Sequence, residues 1–459
     1  MNFTSLSKQY ESEYIEKVSQ LLRIPSVYEK STDFPYGEAI DQSLQTMLKI
    51  AEKDSFVIKN VDGHAGHIEF GKGEQIIGIL GHLDVVPPGE GWETDPFIPV
   101  IKHGNIYARG AQDDKGPIMA AYIAMKLLKD QGFKPNKRVR LIVGTDEERD
   151  WQGIEHYFKQ EDMPEFGFSP DASFPVINAE KGLVDTYLTF PVSNESHGAC
   201  ELLTIESGDR LNMVPSQAVA KIKTADDIEE AFQFFLQTKD VEGNVDRQND
   251  EITITVEGTP AHGSKPEQGK NAAIFLLAFL QELPLPKAHK QIVTKLHHRF
   301  HDFTGEAIGV NYVDEASGSL TLNIGSLTWN KGENCLVGVN TRYPVTVDGE
   351  TVIDKLKQFA EQEGGAFELY DHLQALYVEE DNPYVQTLLS IYNEVTNDNE
   401  MTQAIGGATY ARTLESGVAY GALFKDSPDT AHQKNEHVRI KDMIKAISIY
   451  ADSIYRLTK

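Results

Sequence analysis

Cysteine is nearly absent from this 459-residue chain: Cys200 and Cys335 are the only two, far apart and without metal-type spacing. A disulfide framework is thereby excluded, and a reducing compartment fits. Basic residues are also scarce. Lys and Arg number 43 against 70 Asp and Glu, a formal net charge of −27. A field of that sign repels phosphate, which argues against a nucleic-acid partner and leaves cation attraction or solubility as its uses. No apolar run approaches the roughly 18 residues of a membrane span. The N-terminus, MNFTSLSKQYESEYIEKVSQLLRI, is polar and amphipathic, unlike a basic-then-apolar leader. The expectation is a soluble cytoplasmic protein with no membrane partner. What is present is ordinary for a globular chain: 40% hydrophobic and 25% charged residues, with 21 Phe and 18 Tyr to fill a core. A disordered chain is excluded, and the length predicts two or three domains.

The N-terminal third alternates strand and helix patterns. Residues 76–80 (IIGIL) and 139–143 (VRLIV) read as buried strands, ending at Gly81-His82 and at Gly144-Thr145-Asp146-Glu147-Glu148. Between them, Ile118, Ala121, Tyr122, Met125 and Leu128 share one helical face, with Pro117 in the first turn and Gly132 at the end. Strand, helix, strand predicts an α/β domain with a mainly parallel sheet, whose ligands gather at the carboxyl ends of the strands. After about residue 180 the pattern changes. Strands at 252–256, 319–324 and 336–339 and helices at about 226–238, 270–283 and 350–363 do not strictly alternate, which predicts an α+β insert. Helical patterns return at 384–395 and from about 441. The predicted division is a discontinuous domain of residues 1–180 and 379–459 around an insert at 181–378.

Several polar residues stand at the predicted strand ends and loops. His82, with Asp84 two residues on to orient its ring, reads by itself as a structural histidine. In Gly110-Ala111-Gln112-Asp113-Asp114-Lys115-Gly116 an aspartate suits a helix N-cap. Glu147 and Glu148 follow an apolar strand, where two like charges need a cation nearby. Asp171 and His432 are unremarkable singly. Together, two histidines and several carboxylates make a nitrogen and oxygen donor set for divalent transition metals, and the lack of cysteine ligands argues against a structural zinc site. His297 and His301 share the i,i+4 spacing of a helical metal grip but lack the intervening glutamate of H-E-x-x-H, so a solvated helix face is the stronger reading.

The ordered motifs G-H-L-D-V-V-P (81–87), R-G-x-x-D-D-K-G (109–116), T-D-E-E (145–148), S-P-D-A (169–172) and H-Q-x-N-E (432–436) resemble the co-catalytic two-metal metallopeptidase family of aminoacylases, carboxypeptidase G and desuccinylases. The resemblance spans nearly the whole chain. It is closest to the dipeptidase V group, through Glu90-Gly91-Trp92, Asn212-Met213-Val214-Pro215 and the long insert. It implies an α/β catalytic domain with an inserted α+β lid, and two divalent metal ions, zinc first with manganese or cobalt as alternatives. Asp113 would bridge the metals. His82 and Asp171 would complete one set of ligands, Glu148 and His432 the other. Glu147 would be the general acid/base and Asp84 the partner of His82. The Asp113–Asp114 peptide would be cis. In the insert, Gly258–Ser264 resembles an A-H-x-S loop, which makes His262 the oxyanion donor; Arg342 would take the substrate's terminal carboxylate, with Asn212 a weaker candidate for the same end. In Gly406-Gly407-Ala408 an alanine stands where the family usually has a third glycine, so a structural turn and a substrate loop remain equal readings. The implied activity is hydrolysis of unblocked dipeptides by a monomeric dipeptidase acting on small peptides. An N-acyl amino acid deacylase or desuccinylase is the alternative, and an inactive binding protein on the same scaffold is the alternative from another class.

Overall fold

The computed structural model describes residues 1–193 and 199–459, and the chain divides into two compact units. One comprises Met1–Ala179, Val378–Ala404 and Ala408–Lys459; the other comprises Glu180–Tyr377 and Ile405–Gly407.

The first unit is organised by a mixed sheet. Strands Arg138–Gly144, Ile76–His82, Phe166–Ser169 and Gly417–Tyr420 run parallel at its centre. Val57–Val61 and Ala65–Phe70 flank one side antiparallel, and Val176–Glu180 flanks the other. The parallel expectation thus holds for the centre, while both margins join it antiparallel. Ile76–His82 is buried along its whole length, as a strand covered on both faces must be. Helix Lys115–Asp130 carries the expected apolar face and is buried almost throughout. Gly132, at φ 72°, lets the chain leave it. The helix shares one hydrophobic core with Ile440–Thr458 and Glu11–Leu22.

The second unit is an eight-stranded antiparallel sheet in the order Glu242–Gln248, Glu251–Glu257, Gln217–Thr224, Cys200–Ser207, Thr321–Asn330, Cys335–Tyr343, Gly182–Phe190, Ala366–Leu373. Helices Glu229–Lys239, Ala272–Leu280, Lys287–Phe300 and Gly349–Gln362 bury their apolar faces in a second core with it. The alternating burial of Glu251–Glu257 reflects a strand with one covered face. Among the described residues no helix is long and apolar enough to cross a membrane.

Candidate active site

The parallel strands at the centre of the first unit deliver their carboxyl ends to one edge, so chemistry from distant parts of the chain meets there. His82 closes strand Ile76–His82 opposite Gly144, the last residue of its neighbour. Glu147 and Glu148 follow that neighbour, and Asp171 follows Phe166–Ser169. Asp113 ends the loop before helix Lys115–Asp130, and the Asp113–Asp114 peptide is cis, as the resemblance implies.

Asp113 stands between the two histidines. Its Oδ1 lies 2.9 Å from His82 Nε2 and its Oδ2 lies 2.9 Å from His432 Nε2. Asp171 Oδ2 is 3.7 Å from His82 Nε2, and Glu148 Oε1 is 3.0 Å from His432 Nε2. Two groups of three donors result, His82–Asp113–Asp171 and Asp113–Glu148–His432, each with its ligand atoms within 4.8 Å of one another. All five sequence-predicted metal ligands are therefore brought together. The helical pair His297 and His301 is not part of any such group among the described residues.

The electrostatics fit cations. Burial alone would raise the Asp113 carboxyl, but hydrogen bonds with His432 and His82 hold it well below its ordinary value. Hydrogen bonds with Asp113 and Glu148 push His432 up to about 10. Burial pushes Asp171 and Glu147 well above the usual carboxylate range and raises Glu148 as well. Crowded acids of this kind favour positive charge beside them. The donor chemistry, imidazole nitrogen and carboxylate oxygen with an acid shared between two groups, suits a pair of divalent cations.

Asp84 faces both His82 and the double-glutamate turn. Its backbone carbonyl, 3.0 Å from His82 Nδ1, is the closer partner of the ring, and its carboxylate lies 3.5 Å away. The carboxylate oxygens also accept the N–H groups of Glu147 and Glu148, at 3.2 and 3.1 Å. One aspartate thus fixes both the histidine and the double-glutamate turn. Asp114 departs from the helix-capping role: its side chain makes no cap bond and accepts the His82 backbone N–H at 3.2 Å. This close approach requires glycine at position 81, because a Cβ there would sit 2.1 Å from Asp114 Oδ2.

Glu436 and Arg109 were not singled out by their sequence positions, yet they form the frame of the site. Strands His437–Arg439 and Asn105–Tyr107 pair, which carries Glu436 to the Asp113 loop. Glu436 Oε1 accepts the N–H groups of Gln112 and Asp113, at 2.8 and 3.2 Å, and Oε2 accepts from Arg109 Nη1 at 2.5 Å. Both residues are fully buried. Their only sequence signal is membership of the same motifs as Asp113 and His432. Glu436→Ala should destabilise the fold by about 3–5 kcal/mol, because it strands a buried guanidinium. Urea unfolding checks this, and an unchanged midpoint would contradict it.

In the second unit, His262 lies beside Met213 through an isolated bridge, and Ser264 donates its N–H to His262 Nδ1 at 3.2 Å. That bond leaves the ring proton on Nε2. His262 reaches the surface, yet desolvation of its ring, with the positive charges of Arg342 and Lys265, holds it below its ordinary pKa. A neutral ring with Nε2–H is a ready hydrogen-bond donor. Arg342 is buried, and its Nη1 donates to the Gly406 carbonyl at 3.0 Å. Gly406 is tight because a Cβ would meet Ser264 at 2.6 Å, whereas Ala408 does not adopt a positive φ.

A family model for peptidase family M20/M25/M40 matches residues 78–456. The Bacillus subtilis (strain 168) protein named "Putative dipeptidase YtjP" is 43% identical over 97% of this chain and 97% of its own length. The Staphylococcus saprophyticus protein named "Putative dipeptidase SSP1012" is 40% identical over 98% of each. In fold, the chain resembles the Saccharomyces cerevisiae di-peptidase Dug1p (TM-score 0.59, 13% identity, 99% of this chain and 97% of that one). It also resembles human carnosine dipeptidase 1 (TM-score 0.56, 14% identity, 99% and 98%). A match that runs from the strand carrying His82 into the last helix, with relatives that align end to end, makes this chain a member of peptidase family M20/M25/M40.

Proposed function

We propose that the protein is a cytoplasmic, monomeric dipeptidase that hydrolyses unblocked dipeptides, with the first unit as its catalytic domain and the second as a lid. The observation that carries this reading is the division of Asp113, one oxygen toward His82 and the other toward His432. The names of the curated relatives support the dipeptide as substrate. Two divalent cations, zinc first with manganese or cobalt as alternatives, would be held by His82, Asp113 and Asp171 and by Asp113, Glu148 and His432. Bound there, they would polarise the scissile carbonyl and lower the pKa of a water from about 15.7 toward 7.

The chain's own residues supply the rest. Glu147 takes the proton of the attacking water and passes it to the leaving amine, a role that its burial-raised pKa suits. Asp84 holds the backbone of Glu147 in place for that transfer. His262 donates from Nε2 to the developing oxyanion. Arg342 takes the substrate's terminal carboxylate as a planar fork, and Asn212 assists at the same end. A fixed clamp admits one residue beyond the scissile bond, and a longer tail overshoots it. The net charge of −27 favours a free α-ammonium at the other end over an acyl cap.

The test is kcat/KM for a dipeptide, its N-acetyl form, its C-terminal amide and a one-residue extension. Tripeptides and N-acetyl amino acids should be slower by at least about an order of magnitude. Arg342→Ala should weaken kcat/KM for the dipeptide by about 2–5 kcal/mol, the cost of leaving one partner of a buried charge pair alone. If an N-acetyl amino acid or a succinylated amine proves the best substrate, a deacylase of the same family takes the place of this reading.

A further inference from the structure

Near the proposed lid residues runs a buried row of polar side chains that the chemistry above does not use. In the second unit, strand Cys335–Tyr343 lies between Gly182–Phe190 and Thr321–Asn330, and the register sets Asn340 opposite both Asp185 and Asn323. Directly opposed residues share one face of a sheet, so the three form a line across three strands. All three are buried, and buried polar groups require partners.

The partners lead to the lid residues. Asn340 Nδ2 donates to Asp185 Oδ1 at 2.5 Å, and Asn340 Oδ1 accepts from Arg342 Nε at 3.1 Å. Asn323 Nδ2 donates to the carbonyls of Leu211 and Met213, at 3.2 and 2.8 Å, on either side of Asn212. Gly263, next to His262, packs on the same row: a Cβ there would lie 3.0 Å from Asn340 Oδ1, and its N–H donates to the Asn212 carbonyl at 2.7 Å.

We propose that Asp185 is a positioning residue for recognition of the substrate's carboxylate, acting through the Asn340 amide to aim the Arg342 guanidinium. An ionised carboxylate only accepts hydrogen bonds, whereas a side-chain amide has a donating and an accepting end. Asp185 therefore draws the NH₂ end of Asn340 toward itself, and the oxygen end must face Arg342 Nε. Were the amide turned over, its donor would oppose the donor of Arg342 and the guanidinium would swing away. Asn340 at Nε and the Gly406 carbonyl at Nη1 then define the plane of the fork. The inference rests on Arg342 binding the carboxylate, as proposed above.

Asp185→Ala and Asn340→Ala break the relay at different points, so either decides the matter if the other fails to fold. Each should lower kcat/KM for a dipeptide about tenfold or more, through KM, the scale of a lost hydrogen bond and a misaimed contact. Each should change kcat/KM for the C-terminal amide, which offers no carboxylate, by less than about twofold. The double variant should be no worse than either single one, and Asp185→Asn, which keeps an acceptor oxygen, should stay within about threefold of the parent. Equal losses on dipeptide and amide would mean a merely structural role and overturn the proposal. If Arg342→Ala leaves the dipeptide-to-amide preference intact, the clamp reading itself falls and takes this inference with it. If Arg342→Ala abolishes that preference while Asp185→Ala and Asn340→Ala preserve it, only the present inference is lost.

Discussion

Removing divalent cations with a chelator should abolish peptide hydrolysis, and returning about two per chain should restore it. The expectation follows from the crowding at Asp113. Five candidate donors in two groups of three meet at that one carboxylate, and burial disfavours charge on Asp171 and Glu148 unless a cation is near. Without the acidified water that such cations supply, attack must come from bulk water with a pKa of about 15.7, and the loss should be complete on any practical timescale. Cations that bind only the native state also stabilise it, each by about 2.7 kcal/mol when present at 100 times its Kd. The stripped protein should therefore melt at a lower temperature, a readout independent of turnover. Elemental analysis, activity and Tm on the same sample make the test, and full turnover in metal-free protein would end the two-metal reading.

Glu147→Gln should lower kcat by at least roughly 10²-fold while leaving metal content near normal, the low end for a positioned acid/base. The amide keeps the size of the side chain but cannot carry the proton. Glu147 lies in neither donor group, and its backbone N–H is held by Asp84 whatever the side chain. His82→Ala should behave oppositely: it removes a nitrogen donor, so metal occupancy falls first and activity follows. Equal metal loss in both variants would make Glu147 a ligand and remove the proton shuttle from the mechanism.

The parts of this site that could be read from the chain are those written locally. The strand that ends at His82 and the one that precedes Glu147 each carry an uninterrupted apolar run, and the helix after Asp113 carries its periodicity. Ordered motifs then pointed to the five residues that meet in the two donor groups. What sequence position misassigned was set by tertiary approach. Asp114 has the chemistry of a helix cap, yet the His82 N–H, 32 residues away, claims its side chain. Asp84 has the spacing of a histidine partner, but nothing local shows that its carboxylate also satisfies two N–H groups of another loop. Glu436 and Arg109 are 327 residues apart, and nothing local marks either as the other's partner. In the second unit, an Asp, two Asn and an Arg on three strands look like ordinary polar residues until the register aligns them.

That separation has a consequence for the birth of the protein. His432 meets Glu148 across 284 residues, and Glu436 meets Gln112 across 324. Such contacts incur a large loop-closure entropy before they return any stabilisation, and they form late. At about 5–20 residues per second of synthesis, Glu148 and Gln112 wait on the order of tens of seconds for His432 and Glu436 to emerge. During that interval the stretch Glu180–Tyr377, which is continuous in sequence, can complete its antiparallel sheet. A nascent or prematurely terminated chain that ends before residue 432 holds only two of the three donors of the Asp113–Glu148–His432 group, so that group is completed only as the last part of the chain is made.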